Sequence, residues 1–167
     1  GTAAAAGKHI VYAVPGSPLI AEHTVDLLRA HAQAHPDELT VEILPALSFL
    51  DLCWAALGVD PLARGARLVD GHDFARQAAG QPGPLLVAQC DSPFVLSDVK
   101  LALSEAAEFA GRAPAPVVVL QRLGLPEESV TTVALDDLDR SFEPDHLTSL
   151  WVPEVAAPVA AELVEFV

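Results

Sequence analysis

His9–Glu22 reads HIVYAVPGSPLIAE, and the change of character half-way along it decides what kind of fold the chain builds. His9–Val14 is a short apolar run of β-branched and aromatic residues, the composition of a strand covered on both faces. Pro15 and Gly16 break the run, and the missing Cβ at Gly16 lets another backbone or a ligand approach closely. Ser17 suits the cap of a following helix, and Pro18 its first position, where the amide needs no partner. Strand, glycine turn and helix start in succession form a ligand-facing edge of an open α/β sheet. A βα connection with no ligand fits the same spacing, because PGSP alone is a weak motif.

The pattern continues downstream. A helix is expected from Pro18 to about His35, with Ile20, Thr24, Leu27 and Leu28 at helical spacing and Pro36 as its stop. Leu39–Leu44 (LTVEIL) reads as a second strand turning out through Pro45-Ala46-Leu47. Ser48 looks like an N-cap with Asp51 as a short capping-box partner, and the helix Phe49–Leu57 ends at Gly58. Val59–Ala79 carries no dominant period: Asp60-Pro61 and Asp70-Gly71 suggest turns around a short strand at Ala66–Val69. Leu85–Gln89 is a third core strand, broken by Cys90-Asp91-Ser92-Pro93. The helix after it, Phe94–Ala110, has an apolar stripe at Val95, Val99, Leu103 and Ala106. Val117–Gln121, Ser129–Ala134 and Leu147–Val152 read as strands, the second with one wet face; the acidic Leu135–Arg140 reads as a turn or a short helix. Residues 1–7 are expected to be a flexible leader, residues 8–155 one subdomain, and residues 156–167 the start of a linker helix.

This order predicts an α/β fold with a mixed, partly parallel sheet of five to six strands flanked by helices. Three βα corners recur, at Val14–Ser17, Pro45–Ser48 and Gln89–Ser92. If their strands are parallel neighbours, the corners line one crevice at the carboxyl ends.

Composition narrows the function. With 167 residues, the chain is long enough for one domain with a real core, and 51% apolar against 5% aromatic residues makes that core aliphatic. No apolar stretch reaches the ~18 residues of a membrane span, and GTAAAAGK at the start lacks the apolar segment of a secretory signal. A cytoplasmic protein is expected. The absence of methionine suggests a processed or excised fragment. A net charge of −14 argues against nucleic acid or anionic lipid as a partner. Cys53 and Cys90 stand in apolar contexts and read as buried free thiols.

The remaining constellations have plainer explanations. His31 and His35 share a helix face without HExxH or a third ligand, and fit a solvated pair near a helix C-terminus. Asp136, Asp137 and Asp139 lack the EF-hand spacing and read as an acidic turn. Ser17 is not in GxSxG, and neither GxGxxG nor GxxxxGK[ST] occurs. Asp98 and Lys100 read as a helix surface. No catalytic side chain and no metal site are assigned, leaving a crevice for a neutral or cationic small ligand.

VYAVPGSPLIAE, LPALSFLDLCWAALGVDPL, RLVDGHDF, LLVAQCD, VLSDVKLAL, LDDLDR and DHLTSLWVPEV occur in this order along nearly the whole chain. The series resembles the tetrapyrrole methylase family, most closely the methylase-like domain that precedes the catalytic domain in MazG-type nucleoside triphosphate pyrophosphohydrolases. AELVEFV looks like the lead-in to that second domain. The resemblance implies the C-terminal, second subdomain of the fold and a cleft for S-adenosylmethionine (SAM) or S-adenosylhomocysteine (SAH), with no metal in this segment. The family's G-D-P turn corresponds to Gly16-Ser17-Pro18, so Pro15, Gly16, Ser17 and Ile20 would flank the cofactor. Ala46, Leu47 and Ser48 would lie near its adenosine or methionine portion, joined by Gln89 and Cys90. Leu123, Leu147 and Thr148 would close the adenine side through backbone groups. Ser17 replaces the family's Asp, and the GxGPGD-bearing first subdomain is absent.

The resemblance therefore implies the SAM-binding half of a methyltransferase, a fragment of a MazG-type fusion that is inactive alone. Its partners would be a small-molecule methyl acceptor, the missing N-terminal subdomain and a second copy in a homodimer. The alternative is a non-catalytic dimerisation or regulatory domain that retains the fold. Pyrophosphohydrolase activity is not expected, because no EExxE-like metal helix is present.

Overall fold

Five strands carry the fold in an order the sequence does not follow. The computed structural model describes residues 9–155. The chain forms two units, Gly1–Leu52 and Cys53–Val167, which are taken in turn.

In the first unit neither of the expected strands forms. His9–Val14 and Leu39–Leu44 have no regular secondary structure, and Ile10, Val11, Tyr12 and Leu44 are exposed. Their β-branched runs have the right residues, but a strand exists only through a ladder, and neither run has one. Propensity for a strand is mostly fitness for a half-buried surface; without a neighbour it decides nothing. The first helix, α1 (His23–Ala34), starts well after Pro18. Ser17 closes a tight turn, its Oγ accepting from Leu19 N at 3.4 Å and its carbonyl from Ile20 N at 3.3 Å. It is not a helix cap. Val25 is the buried residue of α1, and Leu27, expected on the apolar face, is exposed.

The second helix, α2 (Phe49–Leu57), follows the expected bounds. Ser48 Oγ accepts from Leu50 N at 3.1 Å, and Asp51 Oδ2 accepts from Ser48 N at 2.9 Å. This is the reciprocal cap read from the sequence. Gly58, with φ 63°, closes the helix in the left-handed region.

In the second unit, Asp60 caps a single turn, α3 (Pro61–Arg64), by accepting from Leu62 N and Ala63 N. Strand β1 (Arg67–Asp70) leads through a 3-10 turn at Gly71–Asp73 into α4 (Phe74–Ala78). Strand β2 (Leu85–Ala88) is followed by the long α5 (Pro93–Phe109), capped by Ser92 Oγ accepting from Val95 N. The last three strands are β3 (Val117–Gln121), β4 (Ser129–Val133) and β5 (Thr148–Val152). The sheet order is β1-β2-β5-β3-β4. Only β1 and β2 are parallel; β5 runs antiparallel to both β2 and β3, and β4 antiparallel to β3. The mixed five-stranded sheet agrees with the expected α/β class, but its parallel part is one pair. Of the three corners, only Gln89–Ser92 follows a strand.

Both faces of the sheet's middle are covered, so β2 and β5 are buried along their whole length. Leu85, Val87, Val117, Val119, Leu150 and Val152 share a core with the Val95–Leu96–Val99–Leu103 stripe of α5. Each such fully buried aliphatic side chain contributes about 1.5–3 kcal/mol relative to exposure. On the opposite face Trp151 pairs across the strands with Leu86 and Val118 and meets Trp54 edge-on, centroids 6.1 Å apart. Cys53 and Cys90 are buried free thiols. The expected leader at residues 1–7 and the helix from Ala156 lie outside the described residues, among which no helix is long and apolar enough to cross a membrane.

Candidate functional site

The residues singled out in the sequence fall into two groups, one in each unit. In the first unit, Pro15, Gly16, Ser17 and Ile20 form the tight turn, and Ala46, Leu47 and Ser48 lead into α2. The fold brings these two corners together. A Cβ on Gly16 would lie 3.4 Å from Leu47 O, and Gly16 has φ 75°. Glycine is needed here both for its left-handed backbone and for the close approach. Leu47 is 79% exposed, so the paired corners present an apolar side chain to solvent.

In the second unit, Gln89, Cys90, Leu123, Leu147 and Thr148 meet at one end of the sheet. This is the carboxyl end of β1, β2 and β3 and the amino end of β5, because Gln121 pairs with Thr148 and Asp70 with Ala88. Cys90 N donates to Thr148 O at 3.2 Å from one side, and Arg122 N donates to Leu147 O at 3.1 Å from the other. Gln89 (φ 59°) and Arg122 (φ 51°) are both left-handed without being glycine. That conformation costs an L-residue about 1–2 kcal/mol, and such strain gathers where a turn must aim the chain closely. Leu123 is half-buried and Leu147 exposed, so this end has two apolar side chains set among backbone polar groups.

Charged groups that sequence reasoning passed over frame the same end. Asp70 Oδ1 accepts from His72 N at 2.9 Å. With its amide placed to satisfy both groups, Gln89 donates to the two Asp70 oxygens at 3.0 and 2.8 Å. His72 Nε2 lies 3.2 Å from the Asp91 carboxylate. Arg122 Nε donates to Asp145 Oδ2 at 2.7 Å. Burial pushes the Asp145 carboxyl up, but Arg122, the Leu147 amide and the Thr148 hydroxyl together hold it below the usual range. Burial first, then the nearby Asp91 and Asp70, push the Cys90 thiol far up, so it is no nucleophile. Asp70 and Asp145 sit next to short turns in the sequence, and that adjacency was the available signal.

The other charged candidates have structural partners. Lys100 is not a free surface cation: its Nζ donates to Asp136 O at 2.7 Å and to Asp139 Oδ1 at 2.9 Å. Ser97 Oγ donates to Asp139 Oδ2 at 3.2 Å, so the acidic turn is tied to α5. His31 and His35 stack at 4.4 Å on exposed helix surface. Among the described residues no three His, Cys, Asp or Glu side chains are grouped to hold a metal ion.

Comparison with known proteins follows from this geometry. Residues 2–139 match the family model described as Tetrapyrrole (Corrin/Porphyrin) Methylases, a match that ends before Asp145. The chain is 32% identical over 154 residues to the uncharacterized protein YabN of Bacillus subtilis (strain 168), covering 91% of this chain and 30% of that one. It thus spans less than a third of the curated relative it matches. Among solved structures, the methyltransferase CobJ superposes with a TM-score of 0.68 at 20% identity, over 96% of this chain and 70% of that one. Uroporphyrin-III C-methyltransferase from Thermus thermophilus, complexed with S-adenyl homocysteine, superposes with a TM-score of 0.57 at 18% identity, over 84% of this chain and 63% of that one. These likenesses establish the fold.

Proposed function

Because the chain belongs to the tetrapyrrole methylase family, we propose that it supplies cofactor-binding surface for SAM-dependent methyl transfer to a small-molecule acceptor. The observation that carries this reading is the sheet end where Gln89–Cys90 and Arg122–Leu123 grip Leu147–Thr148 from both sides. A purine needs apolar contact on its faces and backbone donors and acceptors at its edge. Leu123 and Leu147 provide the first, and the three converging backbone segments the second. The charge also fits: Asp70, Asp91 and Asp145 outnumber Arg122 and His72 there, which suits a cofactor carrying a positive sulfonium. That SAH accompanies a structural neighbour supports the same choice of ligand.

When bound, SAM supplies an electrophilic methyl group for in-line displacement. The chain's own residues hold and orient it and keep water out, and no covalent intermediate on the protein is needed. Within the first unit, Pro15, Gly16, Ser17, Ile20, Ala46, Leu47 and Ser48 are assigned a cofactor-binding surface of their own, with Gly16 and Leu47 as its centre. Ser17 leaves that turn without the carboxylate of the family pattern. No side chain is assigned as a general base.

We further propose that the chain acts as one part of a larger methylase-like protein of the MazG-fused kind, working in the cytoplasm as a homodimer. Its limited share of YabN supports the first part of this, that the chain belongs to a longer protein. Calorimetry with SAH tests the reading, first on this chain and then on a longer protein carrying a family N-terminal half before residue 1. Saturable heat in either form is expected. Absence of heat in both overturns it, and favours the alternative of a domain that kept the fold for dimerisation or regulation.

A further inference from the structure

We infer that Asp145 is a positioning residue, the side chain that shapes the Leu147–Thr148 edge and joins it to the turn after β3. The inference rests on the binding role proposed above for that edge and adds the residue through which it is built. Asp145 Oδ1 accepts from Leu147 N at 2.9 Å and from Thr148 Oγ1 at 3.2 Å. Its other oxygen, Oδ2, accepts from Arg122 Nε at 2.7 Å. Its backbone closes the same turn: Asp145 N donates to Thr148 Oγ1 at 2.9 Å, and Thr148 N to Asp145 O at 3.0 Å.

The Thr148 hydroxyl is thereby fully used. It donates to Asp145 and accepts from Asp145 N and from Gln121 Nε2 at 3.3 Å, which is all a hydroxyl can do. Gln121 Nε2 also donates to Glu143 O at 2.9 Å, so the turn is pinned from the end of β3 as well. Thr148 is buried and Asp145 partly so, and hydrogen bonds to a carboxylate in such a place are among the stronger kind. Arg122 is left-handed, a conformation that persists only where its surroundings hold it. Its backbone is held by the bonds from Arg122 N to Leu147 O and from Leu125 N to Arg122 O, and the Asp145 carboxylate anchors its guanidinium. One side chain thereby ties together two of the three backbone segments proposed to meet the ligand.

The test compares SAH affinity by calorimetry in whichever form of the protein binds, below the melting onset of each variant. Asp145→Ala should weaken binding by about tenfold or more. Asp145→Asn, which keeps the turn acceptor but not the charge on Arg122, should fall between Ala and the parent. Leu103→Ala, a core truncation beside Val152 at the opposite end of β5 from Thr148, controls for lost stability and should bind within about twofold of the parent. Binding by Asp145→Ala equal to the parent, or an equal loss in Leu103→Ala, overturns the inference and leaves the cofactor reading standing. No heat from the parent in either form overturns that reading first, and this inference with it.

Discussion

Gln89 and Arg122 stand on opposite sides of the start of β5 in the same left-handed conformation, φ 59° and 51°. Each lies one residue past the end of a strand, and the amide of Cys90 and that of Arg122 reach Thr148 and Leu147 from the two flanks. The central strand thus begins between two strained turns. That is the arrangement expected where backbone groups are aimed at something rather than merely connected.

Replacing Gln89 by Ala and by Gly separates strain from side-chain loss, since both substitutions remove the bonds to Asp70. At ordinary positions Gly is the less stable of the two. Here Gln89→Gly should be more stable than Gln89→Ala by about 1 kcal/mol. Urea unfolding of the pair is the measurement, and an Ala variant as stable as the Gly one would show that the turn is relaxed.

Gly71 is held by space rather than by φ. An added Cβ would meet Val95 Cγ1 at 2.9 Å, Ala88 O at 3.0 Å and Gln89 O at 3.1 Å. Two of these are backbone at the very end of β2 and cannot step aside cheaply. Gly71→Ala should cost about 1–3 kcal/mol by overpacking, read as a lower urea midpoint. An unchanged midpoint would mean that the end of β2 gives way freely.

The two thiols should be inert in the folded protein. Burial raises Cys53 to about 11 and Cys90 further, and both lie under the surface. Iodoacetamide at about pH 8, near the ordinary thiol value of ~8.5, should label neither thiol until urea unfolds the chain. Rapid native labelling of either would show that its part of the core opens readily.

Stability should fall on acidification, with a sign fixed by two carboxylates. The Lys100 ammonium draws Asp139 down; at Asp145 the raising effect of burial is overcome by Arg122 and the turn. In both, the folded pKa lies below the unfolded one, so the unfolded chain takes up protons first. Their contribution is whole above the ordinary aspartate value of about 4 and is lost as pH falls through the lower folded values. Urea midpoints should be level from about pH 7 to 5 and drop below about pH 4, less steeply in Asp139→Asn. Asp73, paired with Arg76 on the surface, adds little. An equal drop in Asp139→Asn would remove Asp139 from this account.

Where sequence and structure agree, the deciding information was local. The Ser48–Asp51 cap, the left-handed Gly58 and the Val95–Val99–Leu103 stripe each depend on residues close to one another along the chain. The buried strands β2, β3 and β5 were legible because their aliphatic runs fit a two-sided core. His9–Val14 and Leu39–Leu44 carry the same kind of run, yet a strand is a relation between segments, and no residue in either states which neighbour it requires. Strand order failed for a similar reason. Alternation of strands and helices suggests parallel crossovers, and nothing in LTSLWV announces that it enters antiparallel between β2 and β3. At the sheet end, Gln89, Cys90, Leu123, Leu147 and Thr148 were named by resemblance, and the fold sets them at one end of the sheet. Asp70, Arg122 and Asp145 were missed because their roles are long-range: Arg122 and Asp145 meet across more than twenty residues of chain.

Among the described residues the central strand is the last one along the chain, and this matters for how the sheet comes into being. During synthesis β1 and β2 can pair as they emerge, and β3 can fold back on β4, but these are two separate ribbons. Until Val152 has left the ribosome, β2 and β3 each offer an open, fully apolar flank to any strand that passes. The strand that joins them must find both partners across long intervals of chain, a search that is slow for non-local pairings. The sheet is therefore most exposed to mispairing just before Thr148–Val152 emerge, and those five residues end that exposure by occupying both flanks at once.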